Sequence, residues 1–249
     1  IGNGTMSHTA PLNNPALYHA LHHALAQGIA LLDTNQQPYH APLTRYPSAF
    51  LQSAFQQAVD LAPLFNQVIN RVAQHDTFLT EVLQTTETDA FSAQLGQIYT
   101  QIQTEGISQP TQLGLFRSDY FMHQEPTDNR IDNWVLRQIE FNTIAAAFAG
   151  LSPEVTRWHQ LLTQHPAGLL PDNLALQGFV LALTTAWQIY GVDTAVICCI
   201  VQPNERNRFD QYKLEAALWH HAGIRVRYKT LEQLYEATHL RHNRLILTD

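Results

Sequence analysis

The chain has 249 residues with a formal net charge of −7; hydrophobic residues make up 45% and charged residues only 14%. That is enough apolar material for a core of one large domain or one and a half. The acidic balance and the absence of a basic run exclude a phosphate-backbone track for nucleic acid, and no stretch reaches the ~18–20 apolar residues that a membrane helix needs.

The opening IGNGTM reads as a tag scar before a native Met6, so residues 1–11 are expected to be scar and disordered start. NNPALYHALHHALAQG predicts a helix with Asn14 as cap, Pro15 in the first position and Gly28 as terminator. HAPLTRYPS reads as a loop. SAFLQSAFQQAVDLAPLFNQVINRVAQ carries apolar residues at helical spacing interrupted by Pro63, and DTFLTEVLQ and DAFSAQLGQIYTQIQTEG repeat that period. The period then changes: TQLGLFRSDYFMH and NWVLRQIEFNTI predict two strands joined by the polar QEPTDNRID. Helices follow in SPEVTRWHQLLTQH, with Ser152 as cap, and in NLALQGFVLALTTAWQIYG. TAVICCIV, NRFDQYKLEAALWHHAG, IRVRYKT, TLEQLYEA and RLILT form a βαβαβ series, which implies a parallel sheet with RLILT as its third strand. Thr230 and Gln233 stand at capping-box spacing. The two cysteines, Cys198 and Cys199, are neighbours on a strand and point to opposite faces, so they are poorly placed to bridge each other. With no disulfide framework and no signal peptide, a cytoplasmic location is expected.

Three constellations bear chemistry. Glu140 and Asn142 lie two apart on a predicted strand, so a carboxylate and a carboxamide share one face. Such oxygens suit magnesium, which takes one or two protein ligands and completes its shell with phosphate and water; taken alone, the spacing is more often that of a solvent-facing polar pair. Small residues follow, and they let a ligand approach backbone N–H groups. Arg117 offers the rigid fork that grips a carboxylate, either a substrate's or that of the nearby Asp119. IVQPNERNRFDQ sits where a strand hands over to a helix; this is where open α/β sheets bind ligands, though a capped polar loop has the same pattern. His19, His22 and His23 share a helix face, but no acid or cysteine accompanies them to make a metal site.

The words HAPLTRYPS, FLTEVLQTT, EGISQPTQLGLFRSDYF, RQIEFNTIAAAFAGL and ERNRFDQYKLE, in this order and spacing, make the chain resemble the eukaryotic-type glutathione synthetases from about Ala16 onward. The resemblance implies an ATP-grasp fold and an ATP-dependent ligation of γ-glutamylcysteine to glycine through an acyl phosphate. It implies that Glu140 and Asn142 bind magnesium, with Glu140 and Phe121 also beside the nucleotide. Arg117 matches the catalytic arginine that binds γ-glutamylcysteine. Ile144, Ala145, Ala146 and Ala147 match the substrate strip, and Glu205, Arg206, Asn207 and Gln211 match further substrate contacts. The family usually carries serines where this chain has Ala145 and Ala147, and each lost hydroxyl bond is worth ~0.5–1.5 kcal/mol of substrate binding.

The expected architecture is therefore mixed α/β. A helical and β amino-terminal portion of the ATP-grasp body is expected over residues 12–191, and an incomplete parallel α/β substrate domain over residues 192–249. The likeness covers about the first half of a family member, so the chain alone is expected to be inactive, partnered by a missing carboxyl-terminal half or by a second copy in a homodimer. Two alternatives stand beside this: a non-catalytic γ-glutamyl-peptide binding module, and a ligase joining the peptide to another small amine such as β-alanine.

Overall fold

The computed structural model describes residues 15–85, 89–124, 134–163 and 168–248. Contacts divide the chain into two compact units, residues 1–47 with 147–238 and 247–249, and residues 48–146 with 239–246. These boundaries follow contacts and do not coincide with the change of sequence pattern at residues 191–192. Among the described residues no helix is long and apolar enough to cross a membrane.

In the first unit, α1 (Pro15–Ala26) begins on the expected proline, and the chain leaves it through Gly28 at φ +70, where a side chain is strained. The expected cap Asn14 lies outside the described residues, as do residues 1–11. A short antiparallel hairpin follows, β1 (Ala30–Leu32) with β2 (Pro38–His40). Its turn is built by Asp33, whose Oδ1 accepts from the N–H of Asn35 and Gln37, both at 2.8 Å.

In the second unit, α2 (Gln52–Ala73) runs unbroken through Pro63. The interruption expected there does not occur: the ring removes one donor, toward residue 59, and the remaining turns hold the helix. α3 (Asp76–Thr85) and α4 (Ala90–Glu105) follow, α4 capped by Asp89 through Ser92 N at 3.0 Å. Phe91, Leu95, Ile98 and Ile102 of α4 are exposed along one face, while the exposed apolar residues of α2 fall on two sides of the helix, Phe55 and Val59 on one and Leu64, Val68 and Val72 on the other. β3 (Arg117–His123) and β4 (Val135–Asn142) then pair antiparallel. The connection QEPTDNRID, from residue 125 on, lies outside the described residues.

Returning to the first unit, α5 (Leu151–Thr163) buries Trp158 against Ala20, Ala24 and Ile29, with the indole N–H donating to the Ala20 carbonyl at 2.9 Å. Ser152 lies inside α5 rather than capping it, because a more distant acid takes that task. α6 (Ala175–Tyr190) ends at Gly191, φ +69, and packs on α7 (Arg208–Ala222). β5 (Ile197–Ile200) and β6 (Val226–Lys229) are parallel, joined by α7, and their core contains Val180, Leu218, Ile224 and Val226. Cys198 and Cys199 remain thiols on β5; burial raises the Cys199 thiol above its ordinary range. α8 (Leu231–Ala237) carries the expected capping box, Thr230 with Gln233.

The segment RLILT departs from expectation. It is no third strand of the parallel sheet: β8 (Arg244–Leu247) pairs with β7 (Thr238–Arg241) in a sheet of its own. The reason is local. His242 and Asn243 hold φ +50 and +58, the two positive values that a tight two-residue hairpin turn requires.

Candidate functional site

The first cluster is on the β3–β4 hairpin. The register sets Arg117 opposite Asn142 and Asp119 opposite Glu140, and strand alternation puts all four on one face. The opposite face is anchored by Phe141, whose ring lies 5.8 Å from Phe65 of α2 and 5.5 Å from Phe116. The hairpin is thus fixed from behind by aromatic packing while its polar face stays open. A bulge follows Asp119, leaving Ile139 without an opposite residue. Phe121, two residues beyond Asp119, shares the polar face, is 46% exposed and meets His123 edge-on at 6.3 Å.

Within the cluster Arg117 is engaged by Asp119. Its Nε donates to Oδ1 at 2.8 Å and its Nη2 to Oδ2 at 2.9 Å, a bidentate fork, while Glu140 Oε1 stands 3.8 Å from Nη2. Of the two partners open to Arg117 from sequence, the internal one is taken here. Asn142 Nδ2 donates to Glu140 Oε1 at 3.0 Å and more weakly to Asp119 Oδ2 at 3.4 Å. Glu140 and Asn142 therefore stand side by side, the Glu140 side chain 57% exposed.

These residues fit a magnesium ion. The donors are hard oxygens two residues apart on one face of β4, open to solvent, and the ion needs the Asn142 carboxamide to turn its oxygen toward Glu140. Among the described residues no group of three or more His, Cys, Asp or Glu is arranged to hold a metal. Water and phosphate oxygens must then supply the rest of the shell, which is magnesium's usual arrangement.

The electrostatics give a pH prediction. The hydrogen bond from Arg117 holds the Asp119 carboxyl below the ordinary carboxylate range, with Asn142 helping less, and Asp119 in turn holds the guanidinium charged. A group titrating lower in the folded chain than in the unfolded one stabilises the fold above its unfolded value, ~4. That contribution is lost as pH falls through the folded value. A carboxyl NMR titration is expected to find the Asp119 midpoint below ~3.9 and to return it toward ordinary in Arg117→Gln.

The second cluster lies around the start of α7. Asp210, in the first turn, is buried and accepts three backbone N–H bonds from the strip after β4: Phe148 at 2.7 Å, Gly150 at 2.8 Å and Leu151 at 2.9 Å. It thereby supplies the cap of α5 from 59 residues away. Gly150 is required by this contact, since a Cβ there meets the Asp210 carbonyl oxygen at 2.5 Å. Sequence reasoning missed Asp210. The readable signal is an acid on the same α7 stripe as Leu214, Ala217 and Leu218, which all pack on the core.

The predicted site residues divide accordingly. Glu205 Oε1 accepts from the Asn207 N–H at 2.7 Å. Arg206 donates from Nε to the Leu32 carbonyl and from Nη2 to the Tyr39 hydroxyl, each at 2.9 Å, and so ties the β1–β2 hairpin to the loop before α7. Asn207 donates to Asp210 at 3.3 Å, but its Oδ1 is buried with no hydrogen-bond partner among the described residues. Such an orphaned acceptor is costly unless a ligand donor meets it. Gln211 lines a crevice at the carboxyl ends of β5 and β6.

The strip itself is split. Ile144 is 86% exposed, and Ala145 takes a left-handed φ of +53. Ala146 and Ala147 are half-buried. The Phe148, Gly150 and Leu151 N–H groups are already taken by Asp210, so the small residues serve close packing beyond Ala147 as well as any ligand.

The family described as "Eukaryotic glutathione synthase, ATP binding domain" matches residues 8–236. Curated glutathione synthetases from Macaca fascicularis and Homo sapiens are each 36% identical over 242 residues, covering 92% of this chain and 50% of their own length. A chloroplastic glutathione synthetase from Solanum lycopersicum is 34% identical over 218 residues, covering 84% of this chain and 39% of its own. Among solved structures, a glutathione synthetase-like effector from Globodera pallida in apo form superposes with a TM-score of 0.79 at 24% identity, over 94% of this chain and 54% of that one, which shows a shared mixed α/β fold. The chain spans about half the length of the curated relatives it matches. It belongs to the eukaryotic glutathione synthase family.

Proposed function

We propose that this chain is the amino-terminal portion of an ATP- and magnesium-dependent glutathione synthetase of ATP-grasp architecture, joining γ-glutamylcysteine to glycine through an acyl phosphate. The observation that carries the reading is the open Glu140–Asn142 pair on a strand stiffened from behind by Phe141. Magnesium, when bound, draws charge from the phosphates of ATP. The chain's own residues do the positioning: Glu140 and Asn142 fix the metal end, and the exposed Phe121 ring offers an apolar face to the nucleotide. Arg117 receives a substrate carboxylate by exchanging Asp119 for it. At α7 the Asn207 Oδ1 accepts from the substrate's ammonium, beside Glu205, Arg206 and Gln211; the backbone from Ile144 to Ala147 is a separate substrate strip. Positioning of this kind supplies much of the rate in phosphoryl-driven ligation.

The exposed apolar stripe of α4 and the exposed apolar residues of α2 are surfaces on which a complementing polypeptide seats, either the carboxyl-terminal half of such an enzyme or a second copy in a homodimer. A cytoplasmic location belongs to the same reading. The test is reconstitution. The chain mixed or fused with the carboxyl-terminal half of a curated relative is expected to form glutathione and ADP from γ-glutamylcysteine, glycine, ATP and magnesium. A folded, associated assembly that stays inert contradicts the reading.

A second reading has one observation in its favour: the Arg117 fork is already filled by Asp119. On that reading the chain is a γ-glutamyl-peptide binding module without ATP chemistry, and calorimetry would find peptide affinity indifferent to nucleotide.

A further inference from the structure

The crevice at the carboxyl ends of β5 and β6 has a volume of about 430 Å³ and is walled by Gln202, Asn204, Arg208, Gln211, Tyr212 and Tyr228, among others. That volume lies in the range of small-molecule sites. Its chemistry is one-sided. Arg208 is the ionised group among the lining residues, which are otherwise neutral and rich in hydrogen-bonding side chains, and no carboxylate is among them. The Arg208 guanidinium makes one weak bond, Nη1 to the Tyr212 hydroxyl at 3.4 Å, and has no acid partner among the described residues. The contrast within the molecule is informative: Arg117 and Arg157 each hold a carboxylate at 2.8 Å.

The walls are also held in place. The Tyr228 hydroxyl donates to the Gln211 main-chain carbonyl at 3.0 Å, and burial keeps that phenol protonated far above its ordinary range. Thr230 and Gln233 close the far side through the α8 capping box. Asn204 stands in the left-handed region, φ +59, on the turn leaving β5. A fixed polar crevice with one uncompensated cation at the start of a helix is built for a small carboxylate.

We propose that Arg208 anchors the glutamyl α-carboxylate of γ-glutamylcysteine in this crevice and so selects γ-glutamyl peptides. The inference rests on the substrate reading given above and adds a residue that the resemblance did not assign. It places one end of the dipeptide at Arg208, leaving its cysteinyl carboxylate away from that guanidinium.

The test is calorimetry on the 249-residue chain with three probes: γ-glutamylcysteine, its analogue amidated at the glutamyl α-carboxylate, and inorganic phosphate. Arg208→Gln is expected to weaken the dipeptide about ten- to a hundredfold, the worth of a charged hydrogen-bonded pair. The amidated analogue is expected to bind the native chain and Arg208→Gln equally weakly, and Arg208→Lys to recover part of the loss. Equal dipeptide affinity in the native chain and Arg208→Gln overturns the proposal. So does an amide binding as well as the acid, phosphate binding without the dipeptide, or no binding of any probe. Glutathione formation by the reconstituted enzyme is read separately, so a working ligase with an indifferent Arg208 sinks this inference alone.

Discussion

Glu140→Gln, assayed in the reconstituted assembly, is expected to lower glutathione formation at least about a hundredfold, roughly 2.7 kcal/mol of transition-state stabilisation. The substitution keeps the shape of the side chain and removes the anionic oxygen that stands beside Asn142. The magnesium dependence separates a ligand's role from a merely structural one. At fixed ATP the variant should require far more magnesium, whereas ATP binding without the metal should change little. Because Glu140 is 57% exposed and its backbone pairing with Asp119 is unaffected, the fold should survive. A variant with the native magnesium requirement would place the metal elsewhere.

Asp210→Ala is expected to cost about 3 kcal/mol or more of stability, because it strips the acceptor from the N–H groups of Phe148, Gly150 and Leu151 and leaves the latter two buried and unsatisfied. In a chain of this length that corresponds to a fall of about 6–12 °C in Tm. Asp210→Asn should lose roughly half as much. Its one remaining oxygen still serves Gly150 and Leu151, while its new amide hydrogens oppose the Phe148 N–H and Asn207 Nδ2. Thermal unfolding of the two variants beside the native chain measures both losses; equal stability of all three would show that water replaces the carboxylate at no cost.

The Glu140–Asn142 face was legible because strand period two is a local property: two residues apart means one side, whatever the rest of the chain does. The fate of Arg117 was not. Asp119 and a substrate carboxylate satisfy a guanidinium equally well on paper, and the choice depends on the hairpin holding Asp119 within 2.8 Å. Asp210 was hidden for a different reason. An acid in a first helical turn is ordinary, and its three partners lie about sixty residues earlier in the chain. The β1–β2 hairpin, with three residues to a strand, is too short for alternation to register. RLILT has a strand's composition, but which neighbour it takes was decided by His242 and Asn243, two residues that the apolar pattern passes over. The Arg206 side chain is bound to Leu32 and Tyr39, partners more than 160 residues earlier that no local pattern could announce.

The most direct test of the acid–amide pair uses manganese as a paramagnetic stand-in for magnesium. With the 249-residue chain and ATP, sub-stoichiometric Mn²⁺ is expected to broaden the Asn142 side-chain amide and the backbone signals of Glu140 and Asp119 first, and Glu140→Gln to abolish that selectivity. Broadening centred on any other part of the chain, with Asn142 sharp, would contradict the account.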